Sequence, residues 1–263
     1  MRTRRPLSPA PAGRPSWRRR RLDPDHALGL RLTVAAAAAF LILVPFALLT
    51  LLVLGAWAPL RRLDNAVTDA LHSYAQDHPA WVVLMRIWTE VFAPMPLRAV
   101  AVLLVVWLVR RGARRLALWA ATTMIVGGLI GPLLKLLVGR DRPELLDPVA
   151  RAAGYSFPSG HALNATLAAG VLLLVLLPYA GRGLGRAALW VGAVLLTVVT
   201  GLSRVALGVH FTSDVLGGWL LGVAVVAATT AAFTSWRAHT GRRPVRPTRD
   251  GLAPEVERQP GAA

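Results

Sequence analysis

"AALWVGAVLLTVVTGLSRVAL" (Ala187–Leu207) carries no charge until Arg204. As a helix these residues rise roughly 31 Å, enough to cross a hydrocarbon layer of about 30 Å. Similar runs occupy Leu32 to Trp57, Val91 to Val109, Arg115 to Val138, His161 to Pro178 and Phe211 to Trp236. The second is the least regular, because Arg98 interrupts it and Pro94 and Pro96 stand at its start. Apolar residues make up 55% of the 263-residue chain, and their grouping into such runs predicts an all-α polytopic membrane protein with six transmembrane helices. The first run is too long for a secretory h-region and is read as a retained anchor.

The net charge of +17 is distributed unevenly. Residues 1–31 carry +7, "RRGARR" +4, "GRGLGR" +2 and residues 237–263 +3, so alternate segments hold nearly all of it. The connections at 59–96 and 139–159 are close to neutral. Positive charge collects on cytoplasmic loops, which puts both termini in the cytoplasm and the near-neutral connections on the outer face of the plasma membrane. No aromatic or groove-reading motif accompanies the arginines, so nucleic acid is excluded as the partner and the bilayer is favoured.

Three domains of behaviour follow. Residues 1–31 and 237–263 are Pro- and Arg-rich, with too little apolar content to fold, and are expected to be disordered cytoplasmic tails around a membrane domain at 32–236. Apolar residues recur helically at Leu63, Val67, Leu71 and Tyr74, then at Trp81, Leu84, Met85 and Trp88, with a break near Pro79. This stretch is expected to lie along the outer surface as an amphipathic helix and to cover the site. Gly127, Gly128 and Gly131, with Gly217, Gly218 and Gly222, suit close helix packing; they leave the oligomeric state open. The chain has no cysteine, which removes disulfides and thiolate metal sites.

Polar groups gather at outward helix ends in three stretches: "KLLVGRDRP" from Lys135, "SFPSGHALN" from Ser156, and "SRVALGVHFTSD" from Ser203. Ionisable groups at membrane depth face a bundle interior and find partners. Lysine as a point charge and arginine as a planar fork suit phosphate oxygens. Pro158, Ser159 and Gly160 start the fourth span, where Ser159 suits the N-cap and the helix amides form an anion site. Asp214 lies one helical turn after His210, so its carboxylate can fix the tautomer of a nucleophilic imidazole. His161 has no acid nearby and suits proton transfer to a leaving oxygen and then from water.

Lys135-x6-Arg142-Pro143, then Pro158-Ser159-Gly160-His161, then Ser203-Arg204-x5-His210-x3-Asp214 resembles the three-part signature of the type 2 phosphatidic acid phosphatase superfamily. That family shares its site design with vanadium-dependent haloperoxidases. The resemblance implies that Lys135, Arg142, Ser159, Gly160 and Arg204 hold phosphate, His210 is the nucleophile, Asp214 orients it and His161 protonates the leaving group. It implies neither metal nor other cofactor. Arg140, Asp141 and Arg151 fall outside the signature and read as loop charges; His26, His72, His78 and His239 read as solvent or interface residues.

The expected activity is hydrolysis of a membrane lipid phosphate or a polyprenyl diphosphate at the outer, periplasmic face through a phosphohistidine. Phosphotransfer to another acceptor, and a non-enzymatic anion or lipid transporter, are the alternatives.

Overall fold

The structure is a computed structural model that describes residues 40–239, apart from residue 182. The expected tail 1–31, the start of the first apolar run and all but the first three residues of 237–263 lie outside the described residues. Among the described residues the regular elements are helices, without strands. They are α1 (Phe40–Leu54), α2 (Ala58–Asp77), α3 (Pro79–Val91), α4 (Pro94–Arg110), α5 (Arg114–Val138), α6 (Gly160–Leu176), α7 (Leu184–Ala206) and α8 (Thr212–His239).

Proline punctuates the first half. Pro79 and Pro94 stand in the first turns of α3 and α4, where the missing N–H has no intrahelical acceptor to lose. Pro94 and Pro96, which stand at the start of the least regular run, lie in the first turn of a helix. Four helical stretches among the described residues are long and apolar enough to cross a membrane: Pro79–Arg110, Arg114–Val138, Leu184–Ala206 and Thr212–Thr234. A fifth is formed if α1 and α2, bent by 88° at residues 55–57, count as one broken span. The 17 residues of α6 make a shorter apolar helix of about 26 Å.

The expected surface helix at 63–88 is therefore two elements with different fates. It breaks at His78, as Pro79 suggested, but α3 runs on into α4 as part of one 32-residue apolar stretch. Its counterpart α2 turns away from α1 and buries a largely polar stripe, with Val67 and Leu71 packed partly beside it. Asp64, Thr68, His72 and Ala75 face inward at helical spacing, while Leu63 and Tyr74 are about half exposed. In a lipid setting an apolar face needs no protein cover, whereas polar side chains do.

α6 is the centre of the bundle and contacts α4, α5, α7 and α8. Residues 162–169 of this helix are buried without interruption, which is why its sequence is apolar on every side. Neighbours reach it through glycine. A Cβ at Gly127 or Gly131 of α5 would stand 2.2 and 2.6 Å from Leu167 and Leu163, and one at Gly222 of α8 2.6 Å from Thr166. Gly218 lies closest to backbone, with the Ser159 carbonyl oxygen 2.7 Å from its would-be Cβ. These small-residue seams pull α5 and α8 against the helix whose N-terminus carries Pro158 to His161.

Candidate active site

Four helix ends meet at one end of the bundle: the C-termini of α5 and α7 and the N-termini of α6 and α8. Lys135 and Arg204 sit in the last turns of α5 and α7, where a cation faces the negative end of the helix dipole. Gly160 and Asp214 lie in the first turns of α6 and α8. The Ser159 N–H donates to the Asp214 carbonyl at 2.9 Å, tying the second signature stretch to the third.

His210 occupies the short connection between α7 and α8 and is almost wholly buried. Gly208, at φ +67°, makes the turn that delivers it; a Cβ there would strike Leu145. The imidazole Nδ1 lies 3.2 Å from Asp214 Oδ2, and Arg142 Nη1 approaches Nε2 at 3.1 Å. A guanidinium can only donate, so Nε2 accepts from it and Nδ1–H donates to the carboxylate. Burial, then the charges of Arg142 and Lys135, push the His210 pKa down to about 4, against the hydrogen bond and charge of Asp214. Asp214 also accepts from the Phe211 N–H at 2.9 Å, the acidic half of a capping box at the start of α8.

Arg142 commits its fork to neighbouring carbonyls. Nε donates to Gly154, Nη2 to Ala153 and Tyr155, and Nη1 to Val209 as well as to His210. It thus fastens the 139–159 connection to the loop that bears His210. Burial lowers its pKa and Asp214 opposes that shift. The Lys135 ammonium donates to the Tyr155 and Ser156 carbonyls, and its stem passes Gly160.

Ser159 Oγ and Arg204 Nε are among the buried polar atoms without a hydrogen-bond partner. Ser159 holds the N-cap position of α6, but its hydroxyl makes no capping bond, contrary to the sequence expectation. The other end of the Arg204 fork donates to Thr89 Oγ1 at 2.9 Å. His161, half-buried beside them, is within electrostatic reach of Arg204, His210, Arg142 and Lys135. All eight expected site residues therefore lie in one neighbourhood. Among the described residues no group of three His, Cys, Asp or Glu side chains is placed to hold a metal ion.

Two participants were missed. Arg140, read as a loop charge, reaches inward: Nη1 donates to Asp214 Oδ1 and Ser213 Oγ, each at 2.6 Å, and Nη2 to Asp64 Oδ2 at 2.8 Å. Its guanidinium also lies 4.3 Å above the Phe211 ring. Asp64 of α2, 1% exposed, further accepts from the Ser213 N–H and hydroxyl. A buried chain results, from Asp64 through Arg140 to Asp214 and His210. The repeat of arginine two residues apart in "GRDRP" is the one local hint of it, since neighbouring positions in an extended segment alternate sides. His72 was misread too: it is buried, with Nε2 on the Leu146 carbonyl at 2.8 Å. Asp141 and Arg151 are exposed, as expected.

Known proteins resemble the chain over the segment that holds these residues. The PAP2 superfamily model matches residues 116–238. Phosphatidylglycerophosphatase B of Bacillus subtilis is 38% identical over 98 residues, 36% of this chain and 47% of that protein. Undecaprenyl-diphosphatase of Sulfolobus acidocaldarius is 30% identical over 122 residues, 44% of this chain and 54% of that one. The chain thus spans about half the length of these two relatives. The crystal structure of a transmembrane PAP2 type phosphatidylglycerolphosphate phosphatase from Bacillus subtilis superposes with a TM-score of 0.63 at 26% identity, covering 77% of this chain and 98% of that one. Residues 116–238, the segment that the PAP2 superfamily model matches, contain every signature position from Lys135 to Asp214.

Proposed function

We propose that the protein is a metal-independent lipid phosphatase whose site opens at the outer face of a six-span bundle. The observation that carries this reading is the double hold on His210: Asp214 takes Nδ1–H while the Nε2 lone pair faces Arg142, a phosphate-binding side chain. Such an imidazole is a nucleophile already in its reactive tautomer.

A phosphate entering beside Nε2 exchanges the Arg142 contact with the ring for one with a phosphate oxygen. Ser159 Oγ and Arg204 Nε, both lacking partners, donate to the other oxygens together with Lys135 and the first amides of α6. Nε2 then bonds to phosphorus as the phosphorus–oxygen bond to the lipid breaks, and protonated His161 delivers its proton to the departing oxygen. In the second step neutral His161 takes a proton from water, which displaces the phosphorus from His210 as inorganic phosphate. The cations hold charge on the equatorial oxygens throughout, the task that metal ions perform in many phosphoryl-transfer sites.

The six-span layout adds α1 and α6 to the four long stretches. Enclosure of α6 by four neighbours supports its inclusion, since they carry it across whatever they cross. Substrates are membrane lipids bearing a phosphomonoester or a diphosphate, the class named for the curated relatives.

The test is phosphate release from phosphatidate, phosphatidylglycerophosphate and a polyprenyl diphosphate by purified protein in EDTA. His210→Ala is expected to lower the rate at least a thousandfold while the thermal midpoint holds. Undiminished release by that variant would remove His210 as nucleophile.

A further inference from the structure

A cavity of about 300 Å³ is lined by the expected site residues His161 and Arg204 together with Arg86, Thr89, Glu90 and Arg151. If His161 protonates the leaving oxygen, this cavity receives whatever is attached to that oxygen. Its volume is at the lower end for pockets that hold small molecules, roughly 300 Å³, and well beyond the size of one phosphate group. A diacylglycerol leaving group is neutral and would gain nothing from charge here.

The lining is nonetheless cationic. Arg86 is anchored by a hydrogen bond from Nη2 to the Val149 carbonyl, which holds it against the loop that carries Arg151. Arg151 makes no hydrogen bond or ion pair with other described residues. Glu90 is the one acid on the wall, against Arg86, Arg151 and Arg204. Neither Arg86 nor Arg151 belongs to the signature, and Arg86 lies outside the segment matched by the family model. Two surplus cations facing a space on the leaving-group side call for an anion there.

We propose that this cavity is a subsite for a second phosphate on the leaving-group side of the scissile bond, held by Arg86 and Arg151. The inference rests on the phosphatase reading and narrows its substrate to lipids with two phosphates in reach of each other. One source is a lipid diphosphate, whose second phosphorus is joined directly through the leaving oxygen. The other is a phospholipid with a phosphodiester a short polyol away from its terminal phosphate. In the first case the bond from phosphorus to the bridging oxygen breaks as Nε2 of His210 bonds to the terminal phosphorus. The electron pair stays with the departing lipid monophosphate, whose charge the two arginines balance, while His161 supplies the proton.

The experiment compares kcat/KM for a polyprenyl diphosphate, phosphatidylglycerophosphate and phosphatidate in the full chain and in Arg86→Ala, Arg151→Ala and the double variant. The double variant should lose about tenfold more on a two-phosphate substrate than on phosphatidate, chiefly through KM. Selective loss on the diphosphate, or on phosphatidylglycerophosphate, supports the subsite and identifies which spacing it takes. Equal losses on all three overturn it and leave the phosphatase reading standing. A second measurement does not need turnover: inorganic pyrophosphate should raise the thermal midpoint of the unsubstituted protein more than orthophosphate does, and the double variant should lose that preference. No preference in the unsubstituted protein overturns the subsite even if it hydrolyses no lipid, whereas absence of hydrolysis with the preference intact overturns only the phosphatase reading.

Discussion

His210 is poised by opposed influences, and the balance between them has a measurable consequence. Burial keeps the imidazole neutral, while Asp214 favours the charged ring, and the first effect wins, leaving a pKa of about 4. An exposed histidine titrates near 6.5. Between those values an unfolded chain binds a proton at this position that the folded one refuses. Stability therefore falls as pH drops from about 6.5 towards 4, and the imidazole stays neutral through most of that window. In a profile of log kcat/KM, corrected for the titration of the substrate phosphate, the acid limb belonging to the nucleophile should lie near pH 4. Asp214→Asn should lower the rate by two or more orders of magnitude and move that limb further down, because the carboxylate was the influence raising the pKa. A limb that stays at 6.5 in both proteins would show that another group controls it.

At the scale of elements, α2 has a role that its distance in sequence conceals. It supplies Asp64, which with Asp214 brackets Arg140, and a buried cation bridging two carboxylates leaves a costly charge behind when either is removed. Asp64→Ala should cost about 3 kcal/mol of stability, read as a lower thermal midpoint. Asp64→Asn keeps the shape but removes the same charge, so it should also lose stability, and should lower kcat with little change in KM. The glycine seams give a second contrast. Alanine at Gly127 would press on the movable end of Leu167, whereas at Gly218 it would meet the backbone of Ser159 and Leu163, the start of α6. Gly218→Ala is expected to weaken vanadate or phosphate affinity severalfold more than Gly127→Ala, measured by inhibition. These contrasts also mark how far the sequence could be read. The turn from His210 to Asp214 and the Ser159–Gly160 helix start are local geometry, so spacing alone placed them. Asp64 and Ser213 are 149 positions apart, and only packing brings them together. The buried face of α2 was not legible, because Asp64 and His72 acquire their partners, Ser213, Arg140 and the Leu146 carbonyl, only through packing.

At the scale of the whole molecule, the chemistry depends on which side of the membrane the converged helix ends occupy. Basic segments alternate along the chain, and those at 110–115 and 181–186 lie at the opposite ends of their helices from Lys135, Arg204 and His210. Positively charged connections stay cytoplasmic, so the site end should face outward, where a lipid phosphate exposed on that leaflet can rise to it. The absence of cysteine from the sequence makes this testable with single substitutions and no background. Leu146, 90% exposed in the connection that closes over the site, and Gly181, where a Cβ meets nothing within 4 Å, mark the two ends. In intact cells a membrane-impermeant maleimide should label Leu146→Cys, and it should label Gly181→Cys only after permeabilisation. The reverse pattern would put the phosphate site in the cytoplasm and direct it to lipids of the inner leaflet. Labelling of both in intact cells would mean that the 181–186 connection does not stay inside, and the charge argument for orientation would fall with it.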